Sequence, residues 1–118
     1  MEERDPTLNA ALQGQEVTAI TFVHDYFQIQ LSDATINIYW WPRIVSSEAT
    51  YRFAEPGFAV AARGLISQTI RDCQCSADEF VLMFSNRAAL HVAFDQEDAE
   101  GPEAVSVQTS GGAIWVAP

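Results

Sequence analysis

Four stretches of this sequence bring together residues capable of chemistry: Cys73-x-Cys75, His24-Asp25, the acidic run Asp95 to Glu103, and Tyr39-Trp40-Trp41-Pro42. The two cysteines, with His24 and His91, supply in kind the ligands of a structural zinc site. Their spacing argues for something else. Neither histidine has a second ligand at a local interval, and a Cys-x-Cys pair on a strand turns both sulfurs to one face. When the chain is slid over itself by 53 residues, Cys73 falls over Ile20 and Cys75 over Phe22. Free cysteine packs as a small hydrophobe, so both thiols are read as reduced core residues and no metal is expected.

His24-Asp25 has the makings of a general base with its orienting carboxylate. The pair occupies an expected two-residue turn, however, in which neighbouring side chains diverge. Asp25 also recurs as Asp78, preceded there by Ala77 instead of a histidine. An aspartate that recurs alone is a turn device, bonding nearby backbone N–H groups. Ser32 and Ser85 lack a Gly-x-Ser-x-Gly setting. All six cations are arginine and lysine is absent, which excludes Schiff-base chemistry and a P-loop lysine. No catalytic residue and no cofactor are expected.

The acidic run holds five carboxylates in nine residues. Clustered oxygens suit calcium, but their order is not that of an EF-hand and Pro102 fixes a bend. A solvated loop guarding an edge strand is one reading. A negative surface that steers toward a basic partner is the other, with Glu97, Asp98 and Glu100 as its candidate contacts. In the aromatic run, alternation buries Trp40 and turns Tyr39 and Trp41 outward beside Asn37, Gln28 and Gln30. Aromatic rings among amides compose an interface or a shallow ligand site. Cover by the segment 42–55, with Tyr51 and Phe53, would leave no such site, and both readings stand.

The elements that must carry these residues follow from periodicity. Five identities (Leu12/Leu65, Gln15/Gln68, Asp25/Asp78, Phe27/Phe80 and Ser32/Ser85) lie on the 53-residue offset. Apolar residues alternate in phase in both copies, the period-2 signature of half-buried strands. Strands are expected at 16–23, 26–31 and 35–41, and again at 70–75, 79–84 and 88–94. Their short connectors force antiparallel hairpins. Val81 and Met83 replace Gln28 and Gln30, so the second middle strand is expected to be covered on both faces. A helix precedes each meander. Pro56 opens the second one, over 56–66, and Asp5-Pro6 the first. Segments 42–55 and 95–103 read as loops, and a hairpin closes the chain at 104–117. The fold class is α+β: duplicated α-β-β-β units forming antiparallel meanders packed against short helices, plus a C-terminal hairpin.

The chain has 118 residues and a formal charge of −10, which suits a single domain over 1–118, with the repeat at roughly 5–41 and 58–94. That charge argues against a nucleic-acid partner, which needs clustered cations. No apolar run is long enough to span a bilayer as a helix, and the opening residues are not those of a basic signal peptide. With only two cysteines this leads to an expected cytoplasmic setting. Val23-His24-Asp25-Tyr26-Phe27-Gln28-Ile29-Gln30-Leu31, Trp41-Pro42 and Gly101-Pro102-Glu103-Ala104 resemble small acidic bacterial proteins of uncharacterised families. Similar strand-rich acidic proteins serve as immunity proteins, which neutralise toxins by binding them. The resemblance implies a bacterial cytoplasmic setting and leaves activity open; the expected function is a non-enzymatic protein-binding module of the immunity-inhibitor type, directed at a basic partner. The alternative is a small-molecule module with its pocket between sheet and helix, near Trp41 and Tyr39. A homodimer through a sheet face or the terminal hairpin is expected, strengthened by salt as repulsion between copies is screened.

Overall fold

The computed structural model describes residues 6–96, 103–112 and 114–117. Helix α1 (Pro6–Leu12) leads into β1 (Val17–Val23), β2 (Tyr26–Leu31) and β3 (Ala34–Ile38), followed by β4 (Pro42–Val45) and β5 (Thr50–Arg52). The second copy starts at α2 (Pro56–Arg63) and repeats the series with β6 (Ile70–Cys75), β7 (Glu79–Phe84) and β8 (Ala89–Ala93). It ends in β9 (Val105–Thr109) and β10 (Ile114–Ala117). Among the described residues no helix is long and apolar enough to cross a membrane.

All strand pairs are antiparallel and form two five-stranded sheets, ordered β1-β2-β3-β9-β10 and β5-β4-β8-β7-β6. Each meander is thus extended by the last hairpin of the other copy. β9 pairs with β3, setting Ile36 opposite Val107, and β4 pairs with β8, setting Leu90 opposite Ile44. The segment 42–55, read from sequence as a loop, contains the β4–β5 hairpin. Strands of four and three residues are too short for alternation to register, and Pro42 is tolerated because it is the first residue of its strand.

The copies meet at Glu16 and Thr69, equivalent on the 53-residue offset, which form an isolated antiparallel bridge. Val17 N–H donates to Gln68 C=O at 2.8 Å, and its counterpart Ile70 N–H to Gln15 C=O at 2.9 Å. Gly14 N–H reaches Ile70 C=O and Ser67 N–H reaches Val17 C=O, both at 2.8 Å. Bulges interrupt the register between Val17 and Ala19 and between Ile70 and Asp72, the same place in each copy. This junction accounts for two of the identities. Ser85 Oγ accepts the Thr69 N–H and donates to Gln68 Oε1, while Gln15 Oε1 accepts the Asp33 N–H and Ser32 Oγ the Glu16 N–H.

Alternation places the core. Phe27, Ile29 and Leu31 of β2, and Phe80, Leu82 and Phe84 of β7, are buried with Ile36, Ile38, Leu90 and Val92 in a single cluster. Phe27 sits among Phe22, Phe53 and Phe58 at 5.2 to 6.3 Å, edge-on, the geometry aromatic rings favour. Trp40 and Phe94, each two residues past the last core position of its own meander, pack on one another. β3 stops at Ile38, short of the expected 41, because the chain must leave the first sheet to reach β4 in the second. Helix α2 stops at Arg63, where Gly64 closes the last turn with its N–H on Val60 C=O. Val81 is covered on the outer side of β7, at 3% exposure, whereas Met83 beside it stays open at 38%.

Candidate functional site: an uncharged sheet face and an aromatic cleft

The outer face of the first sheet follows from register alone, since cross-strand partners share a face. One row runs Ala19, Gln30, Thr35, Gln108, Ile114 across the five strands, and the next runs Thr21, Gln28, Asn37, Ser106, Val116. Val23 and Tyr26 are paired beyond them, and the Tyr26 ring lies 5.5 Å from that of Tyr39. None of these side chains is ionisable near neutral pH. Their polar atoms are chained. Gln30 Nε2 donates to Gln28 Oε1 at 3.0 Å, Gln28 Nε2 to Asn37 Oδ1 at 2.9 Å, and Asn37 Nδ2 to Ser106 Oγ at 3.4 Å. The Tyr39 hydroxyl closes the series on Ser106 Oγ at 3.4 Å. Each amide is thereby fixed in orientation and keeps donor or acceptor capacity for a ligand. From strand and residue spacings the face measures on the order of 500 Å².

The corresponding face of the second sheet is charged. There Gln74, Val81, His91, Arg43 and Arg52 form the row that matches Thr21 to Val116. His91 Nδ1 lies 2.9 Å from Glu79 Oε1, and Arg43 Nη2 is 3.9 Å from the same oxygen. At the end of this face Trp41 and Phe53 stand with ring centroids 5.1 Å apart. Beside them opens a cavity of 680 Å³, lined also by Arg43, Arg52, Asp95 and Gln96. The Gln96 amide clamps Trp41, accepting its N–H and donating to its C=O, each at 3.0 Å.

Of the residues singled out in the sequence, Gln28, Gln30, Asn37 and Tyr39 come together on the uncharged face. Trp41 does not join them, because the chain changes sheet between Tyr39 and Pro42. The cavity at Trp41 is lined by strands and loops and by no residue of either helix. Glu97, Asp98 and Glu100 lie outside the described residues. Cys73 is buried and Cys75 partly so. The His24 and Asp25 side chains, expected to diverge, approach to 3.5 Å, but both are almost fully exposed and the pair is an ordinary surface contact. Ser106, Arg43, Arg52 and Gln96 carry no signal in the sequence that marks them as site residues, and Phe53 enters there only as cover for the aromatic run. Ser106 reaches its place only through the exchanged hairpin, Arg43 and Arg52 lie in strands too short to recognise, and Gln96 follows β8 in a segment that reads as a solvated acidic loop. No family model, no curated protein and no solved structure matches the chain.

Proposed function

We propose that this protein is a non-enzymatic binding module that engages a protein partner through the uncharged outer face of its first sheet. One observation carries the reading. Among the described residues, a face spanning five strands lacks a charged side chain on a chain of charge −10, while the matching face of the other copy holds Asp72, His91, Arg43 and Arg52. Docking there strips water from amides, hydroxyls and rings, which can be re-paired, and leaves no charge to desolvate. Two such faces together bury on the order of 1,000 Å², the lower limit of a specific interface. The negative field of the whole chain speeds the approach of a basic partner, as an immunity-type inhibitor of a cationic toxin requires. Without that partner, a second copy can dock by the same face.

The test places an arginine in the middle of the face. Where a neighbouring gene encodes a basic toxin, Asn37→Arg should weaken binding to that toxin at least about tenfold in calorimetry, with the far-ultraviolet spectrum unchanged. It should also turn a homodimer into monomer by light scattering. Unaltered affinity and unaltered mass would remove the face from the interface.

A further inference from the structure

We propose that the cleft at Trp41 is a small-molecule site for a flat aromatic ring bearing an oxyanion, with the ring on Trp41 and the oxyanion between Arg43 and Arg52. The proposal concerns the second sheet and stands apart from the partner face on the first. The indole of Trp41 is 55% exposed, a large apolar surface left in water. It is nonetheless held. Its backbone N–H and C=O are both taken by the Gln96 amide, which is anchored in turn on Ala93 C=O at 2.9 Å, and Phe53 packs against the ring. A ring fixed before binding loses little freedom on binding, which favours a stacked ligand. The adjoining 680 Å³ falls within the range of small-molecule pockets.

The charges define the other half of the ligand. Arg43 and Arg52 are direct cross-strand partners in the β4–β5 hairpin, and both line the cleft. Like charges directly opposite one another destabilise a strand pair. Glu79, 3.9 Å from Arg43 and already bonded to His91, offsets this only in part. A planar carboxylate or a phosphate held between two guanidiniums relieves the repulsion and accepts paired N–H donors from them. Asp95, the acidic member of the lining, disfavours a ligand that carries a second anionic group at its own end of the cleft.

Calorimetry on the full chain would use four probes: 2-naphthoate, adenosine monophosphate, 2-naphthalenemethanol (a ring without the anion) and acetate (the anion without a ring). Saturable 1:1 binding is expected for 2-naphthoate or the nucleotide, at least about tenfold tighter than for 2-naphthalenemethanol or acetate. The tighter of the first two tells a carboxylate ligand from a phosphate one. Trp41→Ala and Arg52→Gln, both at exposed side chains, should each weaken that binding about tenfold. Gln30→Ala, on the first sheet and away from the cleft, should leave it unchanged. Absence of saturable binding of both anionic probes at millimolar concentration would overturn the proposal. Binding that survives both Trp41→Ala and Arg52→Gln would overturn it too. Neither result bears on the Asn37→Arg test, so the two sites stand or fall separately.

Discussion

The junction of the two copies offers a sensitive perturbation, because one turn is built twice with different residues. Gly14 and Ser67 hold equivalent positions and both lie in the left-handed region, with φ of 87° and 78°. A left-handed residue other than glycine costs about 1–2 kcal/mol. Ser67→Gly removes that cost and returns about 0.5–1 kcal/mol of extra freedom to the unfolded chain, leaving a net gain of about 0.5–1 kcal/mol. At roughly 2.1 cal/mol/K per residue, unfolding a chain of this size carries about 0.25 kcal/mol/K of entropy, so Tm should rise by about 2–4 °C. Gly14→Ala should lose a similar amount. A Cβ built there meets nothing within 4 Å, so the loss is conformational and not steric. Thermal unfolding followed by circular dichroism would measure both. A fall in Tm for Ser67→Gly, or no change for Gly14→Ala, would refute the equivalence of the two turns.

Phe27→Ala and Phe80→Ala each empty a fully buried ring position at the same point of a meander, and each should cost about 3–5 kcal/mol in urea unfolding. A loss below about 1 kcal/mol at either site would mean that its ring does not hold the core. Gly57→Ala should cost about 1–3 kcal/mol, since a Cβ there would lie 2.6 Å from the Tyr51 ring and push it off α2. Unchanged stability would show that the ring moves aside freely. In native protein, thiol reagent should modify Cys75, which is partly exposed, before the buried Cys73. Mass spectrometry of the singly labelled species would detect the reverse order.

Much of the frame was legible because strand pairing leaves a period-2 imprint wherever one face is buried. Ile70–Cys75 and Glu79–Phe84 coincide with the expected bounds, and the inward places of Leu90 and Val92 match those of Ile36 and Ile38. The recurring Gln and Ser also left their mark, since each side chain completes a backbone junction that exists twice. The exchange of hairpins was not legible. Alternation assigns a residue to a face but not to a sheet, and β4 and β5 are too brief to carry even that signal. Hence Tyr39 and Trp41, both outward by parity, were assigned to one surface although the chain crosses from one sheet to the other between them. Val81 shows a second limit. Its apolar outer face calls for a covering element, and it is buried in a row where its cross-strand partners are the polar Gln74 and His91.

The hairpin exchange also explains how two copies of one unit can carry different surfaces. The inward positions face a shared core and must stay apolar in both copies, as Phe27 and Phe80, Ile29 and Leu82, and Ile36 and Leu90 do. The outward positions face water and are free to diverge. Tyr26 corresponds to Glu79 and Gln28 to Val81 on the 53-residue offset, and past the next turn, one residue longer in the second copy, Asn37 corresponds to His91 and Tyr39 to Ala93. Because each sheet ends in the other copy's hairpin, neither surface belongs to one copy alone. Ser106 of the second copy completes the amide series of the first, and Arg43 of the first copy stands opposite His91 of the second, with Arg52 on the strand beyond. A substitution in one hairpin therefore acts on the opposite copy's face. An uncharged face and a cationic aromatic cleft can then coexist on one small acidic chain without competing for the same strands.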